Sequence, residues 1–207
     1  MSEVSHYLFY VPILHSQGET RSLAFSLNGK TAESQRQDLP AEPEKAIQEM
    51  WDGIHKKILE LELSYPSVRI YQDALPVCGI ESEIVSKLAQ KGSPNHQLVQ
   101  ELMKKGAHLE GTEDPDLLIE ENDYLMQLFP DLSPLHMKKY QEKSMQLLAK
   151  RDAFIADRIK STIKQGEIPL VFIGVRHQLE KLLKSQFAIQ YVIYRLPFKN
   201  VREIYNV

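Results

Sequence analysis

The chain alternates between short, continuous apolar runs and longer stretches whose apolar residues recur every three or four positions. Tyr7 to Leu14, Leu170 to Ile173 and Phe187 to Tyr194 are bounded by turn-forming residues and predict strands buried on both faces. Val68 to Tyr71 predicts a fourth strand and Ala107 to Leu109 a short fifth, each flanked by helical patterns.

The helical stretches carry clear stripes. Ile47, Met50, Trp51, Ile54, Ile58 and Leu61 predict a helix that starts after Pro43. Ile84, Val85 and Leu88 predict a second, ended by Gly92. Ser93-Pro94 reads as a cap with proline at the first helical position, opening a third helix through Leu98, Leu102 and Met103 to Gly106. Leu117, Leu118, Leu125 and Leu128 predict a fourth, closed before Pro130. The longest starts at Ser133-Pro134 and runs towards Gln165-Gly166, either whole or broken.

Strands alternating with helices imply crossover connections, because parallel neighbours are joined that way. The expected fold class is therefore α/β: a mostly parallel central sheet with helices on both faces, in a single domain over residues 1–207. Residues 16–43 fit that plan poorly. They are polar, contain Asn28-Gly29 and two prolines, and are longer than an ordinary connection, so a lid, a small hairpin or a mobile insertion are the open readings.

Composition narrows the function classes. Apolar residues at 43% and charged residues at 26% are those of a globular domain, not a disordered one. A formal charge of -3, with lysines scattered among glutamates, offers no field for a polyanion, so no nucleic-acid partner is expected. No apolar run approaches the roughly 18 residues of a membrane span. The acidic, polar start Met1 to His6 predicts no secretory signal, and the lone Cys78 makes no internal disulfide; together these predict a cytoplasmic protein. Cys78 itself reads as a small buried hydrophobe in preference to a reactive thiol.

In open α/β sheets, ligands lie beyond the carboxyl ends of the strands. His15 follows the first predicted strand, Asp73 stands two residues past Tyr71, Glu110 and Glu113 follow the Ala107 segment, and His177 follows Gly174-Val175-Arg176. Two histidines and several acids at strand ends are the composition of a divalent-metal site or of a general acid/base pair. Each has an ordinary alternative. A histidine is more often a surface residue than a ligand, and Asp73 reads equally as an Asx-turn or helix-cap residue. Thr112 or Asp114 serves as a cap in Gly111-Thr112-Glu113-Asp114-Pro115, which leaves Glu113 unexplained.

Arg151 and Asp152 fall inside the stripe of Leu147, Leu148, Phe154, Ile155 and Ile159, where a charge must be paired or solvated. Either they pair with each other or with a nearby acid, or Arg151 points into a polar cleft and holds an anionic group. His96, beside Asn95, is expected near the surface and His108 on a solvated face. His6, His55 and His136 read as surface residues.

The order of these motifs resembles that of the TraB/TIKI families and, more remotely, of the erythromycin-esterase and ChaN-like proteins. In that pattern a first strand ends in glycine-x-x-histidine and a second in an acid. A glycine-rich stretch with glutamate follows, then a helix bearing arginine-asparagine, and then a strand running into a second glycine-x-x-histidine. Here Gly174-Val175-Arg176-His177 is the last motif and Arg151-Asp152 stands on the helix, with aspartate in place of asparagine. Tyr71-Gln72-Asp73 and Gly111-Thr112-Glu113 correspond to the middle elements. The first reads Pro12-Ile13-Leu14-His15, with Pro12 where the pattern has glycine.

The resemblance implies His15 and His177 as the active histidines, Asp73 and Glu113 as acids, and Arg151 as the supporting arginine. It implies several chemistries: metal-dependent proteolysis in TIKI members, hydrolysis by histidine and glutamate in the esterases, and association with haem or iron in ChaN-like members. The first expectation is therefore a hydrolase-like site in which His15 and His177 bind a divalent metal or act as base and acid on a small-molecule or peptide substrate. The second is a non-catalytic protein holding haem or a small anion in the same cleft. A third, an interaction module, rests on the apolar helices and on the tail Tyr205-Asn206-Val207.

Overall fold

In the computed structural model, residues 6–13, 41–128 and 134–194 are described. Five strands among them form one parallel sheet: β1 (His6–Ile13), β2 (Val68–Pro76), β3 (His108–Glu113), β4 (Ile168–Gly174) and β5 (Phe187–Tyr191), in the order β3-β2-β4-β1-β5. The helices are α1 (Ala41–Glu60), α2 (Glu81–Gln90), α3 (Pro94–Lys104), α4 (Pro115–Leu128), α5 (Pro134–Thr162) and the short α6 (Glu180–Leu183).

Alternation along the strands sorts the apolar residues into two cores. Phe9, Val11 and Ile13 of β1, Val68 and Ile70 of β2, and Leu170 and Phe172 of β4 meet Met50, Trp51, Ile54 and Ile58 of α1 and Leu98, Val99 and Leu102 of α3. On the other face Leu8, Tyr10, Tyr71, Val171 and Ile173 meet Ile155, Ala156 and Ile159 of α5 and Leu179 and Leu183 at α6. The sheet is thus covered on both faces, which is why the central strands β1 and β4 are almost continuously apolar.

Several boundaries differ from those the sequence predicts. Helix α1 starts at Ala41, not after Pro43; a proline in the first turn lacks only an N–H that has no helical partner there. Helix α5 is one unbroken run of 29 residues and stops at Thr162, short of Gly166. Strand β5 ends at Tyr191 instead of Tyr194. The expected insertion at 16–43 lies outside the described residues as far as residue 40, as do Leu14, His15 and the tail Tyr205-Asn206-Val207.

The largest differences concern β2 and β3. Strand β2 continues five residues past Tyr71 to Pro76, and β3 runs on to Glu113, so Asp73, Glu110 and Glu113 lie inside strands rather than beyond them. Parallel pairing explains the continuation: β2 is hydrogen-bonded on both sides, to β3 and to β4, as far as Gln72. Its register with β3 then shifts between Gln72 and Pro76, and within that shift Ala74 takes a φ of 59°, in the left-handed region. At this irregularity Asp73 stays on the α5 side of the sheet while Leu75 returns to the α1 core.

Two more readings are overturned by burial. His96 is 3% exposed rather than near the surface: its Nδ1 is hydrogen-bonded to the Ser93 hydroxyl at 2.7 Å, so that hydroxyl serves the imidazole and does not cap α3. Cys78 is exposed instead of buried, because β2 ends at Pro76 and the chain turns outwards through Gly79, which has a φ of 82°. His108 is exposed as expected, and His55 is half-buried against Glu101 at 3.1 Å. The side chains of His6 and His136 lie outside the described residues.

Candidate functional site

The carboxyl ends of β1, β2, β3 and β4 share one rim, since Ile13 is in register with Gly174 and Pro76 with Glu113. A group of buried polar side chains gathers there on the α5 side: Asp73 from β2, Glu113 from β3, Arg151 and Asp152 from α5, and His177 after β4. Asp73 at 2% exposure and Glu113 at 0% are among the least accessible charged residues described.

Asp73 knits neighbouring strands together. Its Oδ1 accepts the backbone N–H of Ala74 at 2.7 Å, and its Oδ2 accepts that of Gly174, across the sheet, at 2.7 Å. Neither is an Asx-turn nor a helix cap, so both ordinary alternatives for this residue are set aside. The capping role falls to Asp114, whose Oδ1 accepts the N–H of Asp116 at 2.9 Å.

Arg151 forks onto Glu113. Its Nε donates to Oε2 at 3.0 Å and its Nη2 to Oε1 at 2.6 Å; Nη2 also lies 3.4 Å from Asp73 Oδ1, and Nη1 donates to Glu121 Oε2 at 2.6 Å. The planar guanidinium suits such two-pronged pairing. Arg151 and Asp152 therefore pair outwards, with acids from β2, β3 and α4 and with an imidazole, and not with each other.

His177 is placed by the turn that ends β4: its backbone N–H donates to the Gly174 carbonyl at 3.0 Å. Its Nδ1 lies 2.5 Å from Asp152 Oδ1 and its Nε2 3.4 Å from Asp73 Oδ1. Burial alone disfavours the charged imidazole, but the charge of Asp73 and the hydrogen bonds to Asp152 and Asp73 outweigh it and push the pKa up to about 10. Glu113 is shifted upwards as well: burial dominates, Arg151 opposes it, and the nearby Asp73 adds to it. The His177 shift reflects a local imbalance of charge. Four carboxyl groups, Asp73, Glu113, Glu121 and Asp152, surround one guanidinium and one imidazole.

Asp73, Glu113 and His177 each offer an atom to one small volume, with all three atoms within 4.8 Å of one another. Divalent ions such as zinc take bonds of about 2.0–2.2 Å to nitrogen and oxygen, which sets neighbouring ligand atoms roughly 3–3.5 Å apart. The 3.4 Å between Asp73 Oδ1 and His177 Nε2 meets that spacing. The donor set of two carboxylates and one imidazole suits a borderline or hard divalent ion.

Of the residues predicted from sequence, Asp73, Glu113, Arg151 and His177 come together, and His15 lies outside the described residues. Glu110 does not join them. It pairs with Arg69 and, at 2.9 Å, with Arg158. Asp152 and Glu121 are partners that sequence reasoning did not place at the site. The position of Asp152 inside an apolar stripe was the available signal for one; nothing in the pattern of α4 marks the other.

A cavity of about 400 Å³ lies elsewhere, at the opposite rim, bordered by Tyr7, Phe9, Leu63, Glu167 and Ile168. It contains none of the clustered residues. Among the described residues no helix is long and apolar enough to cross a membrane. Comparison of the chain with family models, with curated proteins and with solved structures gave no match.

Proposed function

We propose that this protein is a hydrolase whose reaction centre is the Asp73, Glu113 and His177 cluster, working with a divalent cation held between those three side chains. The observation that carries the reading is the meeting of three buried side chains, Asp73, Glu113 and His177, whose ligand atoms all lie within 4.8 Å of one another at a rim rich in acid, a setting that favours a cation. A bound ion there supplies Lewis-acid polarisation of an ester, amide or phosphoester oxygen.

The chain's own groups have separate tasks in this reading. Asp73 and Glu113 offer carboxylate oxygens, and His177 offers Nε2 because its Nδ1 is engaged by Asp152. Arg151 holds Glu113 in place and offsets part of its charge. The small-molecule or peptide substrate expected from the sequence belongs to the same proposal, as does membership of the TraB/TIKI group, whose motif order agrees with it.

The test is elemental analysis of purified protein, followed by a library of ester, amide and phosphoester substrates before and after chelation. The expected result is one divalent ion per chain and turnover that is lost on chelation and restored by the ion. Asp73→Asn and His177→Gln should lose both ion and turnover while keeping a wild-type circular dichroism spectrum. Turnover that survives chelation would assign the work to His177 and Asp152 as an acid–base pair without metal. Absence of both ion and turnover, with variants that only melt earlier, would make the cluster a structural staple and end the proposal.

A further inference from the structure

Arg151 and Asp152 are consecutive on α5, yet they hold different parts of the rim. Arg151 braces the acids, whereas Asp152 faces the imidazole. Its Oδ1 lies 2.5 Å from His177 Nδ1 and its Oδ2 accepts the backbone N–H of Gln178 at 3.0 Å. One carboxylate thus grips both the ring and the segment that carries it. An ionised carboxylate can only accept, so with Asp152 ionised it is Nδ1 that supplies the hydrogen of this contact. The His177 side chain is 4% exposed, so water offers no competing partner for Nδ1.

We infer that Asp152 is a positioning residue, fixing the His177 ring with an N–H on Nδ1 directed at Asp152 and with Nε2 turned into the Asp73 and Glu113 cluster. This rests on the reading of that cluster as the reaction centre, but the hydrogen bond is measurable without it. An imidazole that binds an ion through one nitrogen generally donates its other N–H to such a group, and loss of that partner weakens metal affinity about 10- to 100-fold. The same arrangement orients a histidine that works as a base. Asp152 is not one of the three side chains that offer ligand atoms to the common volume; it acts through the ring.

The experiment uses the full chain with ¹⁵N-labelled histidine, compared as wild type, Asp152→Asn and Asp152→Ala. The metal-free wild type should show a downfield Nδ1–H resonance protected from solvent exchange, assigned by its disappearance in His177→Gln. Asp152→Ala should lose that resonance and, by calorimetry, bind zinc about 10- to 100-fold more weakly. Asp152→Asn keeps the shape but has one acceptor oxygen for two donors, so it should shift the resonance, speed its exchange and weaken zinc less. The asparagine variant also decides the matter if the alanine variant does not fold.

A resonance unchanged in both variants overturns the inference, and so does zinc affinity equal to wild type in both. If the wild type takes up no zinc, the metal centre fails on that result, while the resonance still decides whether Asp152 holds the ring.

Discussion

Each side-chain oxygen of Glu113 accepts one hydrogen bond from Arg151, from Nε at 3.0 Å and from Nη2 at 2.6 Å, in surroundings that leave Glu113 wholly buried. This fork ties the end of β3 to the middle of α5, and the contact of Nη2 with Asp73 extends it to β2. Charges so far from water are costly unless paired, and the pairing here is reciprocal: the acids hold Arg151 protonated, and Arg151 opposes the upward shift of Glu113.

Removing the guanidinium leaves the buried Glu113 without its paired counter-charge. Arg151→Ala is therefore expected to lower unfolding free energy by about 3–5 kcal/mol, read by urea denaturation at neutral pH. Arg151→Lys should recover only part of this, since a point charge does not reproduce the fork. A loss within experimental error for the alanine variant would show that the acids become protonated or solvated at little cost.

The fold was legible because the two-sided burial of the sheet leaves continuous apolar runs such as Tyr7 to Leu14 and Leu170 to Ile173 in the sequence, and because α1 and α3 carry regular stripes. The ends of β2 and β3 were not. Gln72, Asp73, Thr112 and Glu113 are polar, and only their partners make them tolerable inside strands: Thr112 Oγ1 donates to the Gln72 carbonyl at 2.5 Å, and Asp73 receives the Gly174 N–H. Such partners lie 40 or 101 residues away in sequence, beyond any local pattern. The same holds for His96, which looked exposed beside Asn95 until the fold buried it. At the site, position after a strand singled out His177, while Arg151 and Asp152 were marked by charge within an apolar stripe. Their partners were set by tertiary packing.

Gly111 offers a test of how closely β2 and β3 must approach beside the site. A Cβ there would stand 2.7 Å from the Pro76 carbonyl oxygen and 3.0 Å from Val77 Cα, both backbone atoms. Gly111→Ala is expected to cost about 1–3 kcal/mol by forcing the strands apart. It should also weaken any binding that depends on the spacing of Asp73 and Glu113. Thermal unfolding checks the first effect and calorimetry the second; an unchanged melting curve would mean that the strand ends separate freely.

Ligand linkage gives an independent check on the cation. An ion that binds only the folded chain raises unfolding free energy by about 2.7 kcal/mol at a free concentration 100 times its dissociation constant. A zinc or manganese titration followed by chemical denaturation should show that rise in the wild type and none in Asp73→Asn. Equal stabilisation of both proteins would place the ion away from the cluster.

The opposite rim carries a pH-dependent brace that is separable from the site. Arg69 on β2 donates from Nε to Glu167 Oε2 and from Nη2 to Oε1, each at 2.6 Å, and also pairs with Glu110. The hydrogen bonds from Arg69, which outweigh the effect of burial, hold the Glu167 carboxyl down at about 2 against an ordinary value of 4.5. A carboxyl whose pKa is lower in the folded chain stabilises the fold above its unfolded value, and that contribution disappears as the pH falls through the folded value. Wild-type stability should accordingly decline between about pH 4.5 and pH 2. In Glu167→Gln this part of the decline should be absent, and the variant should already be less stable at pH 7, because Arg69 there keeps Glu110 but loses its two-pronged partner. Denaturation curves collected across that range decide it: parallel acid limbs for the two proteins would mean that Glu167 ionises alike in the folded and unfolded chains.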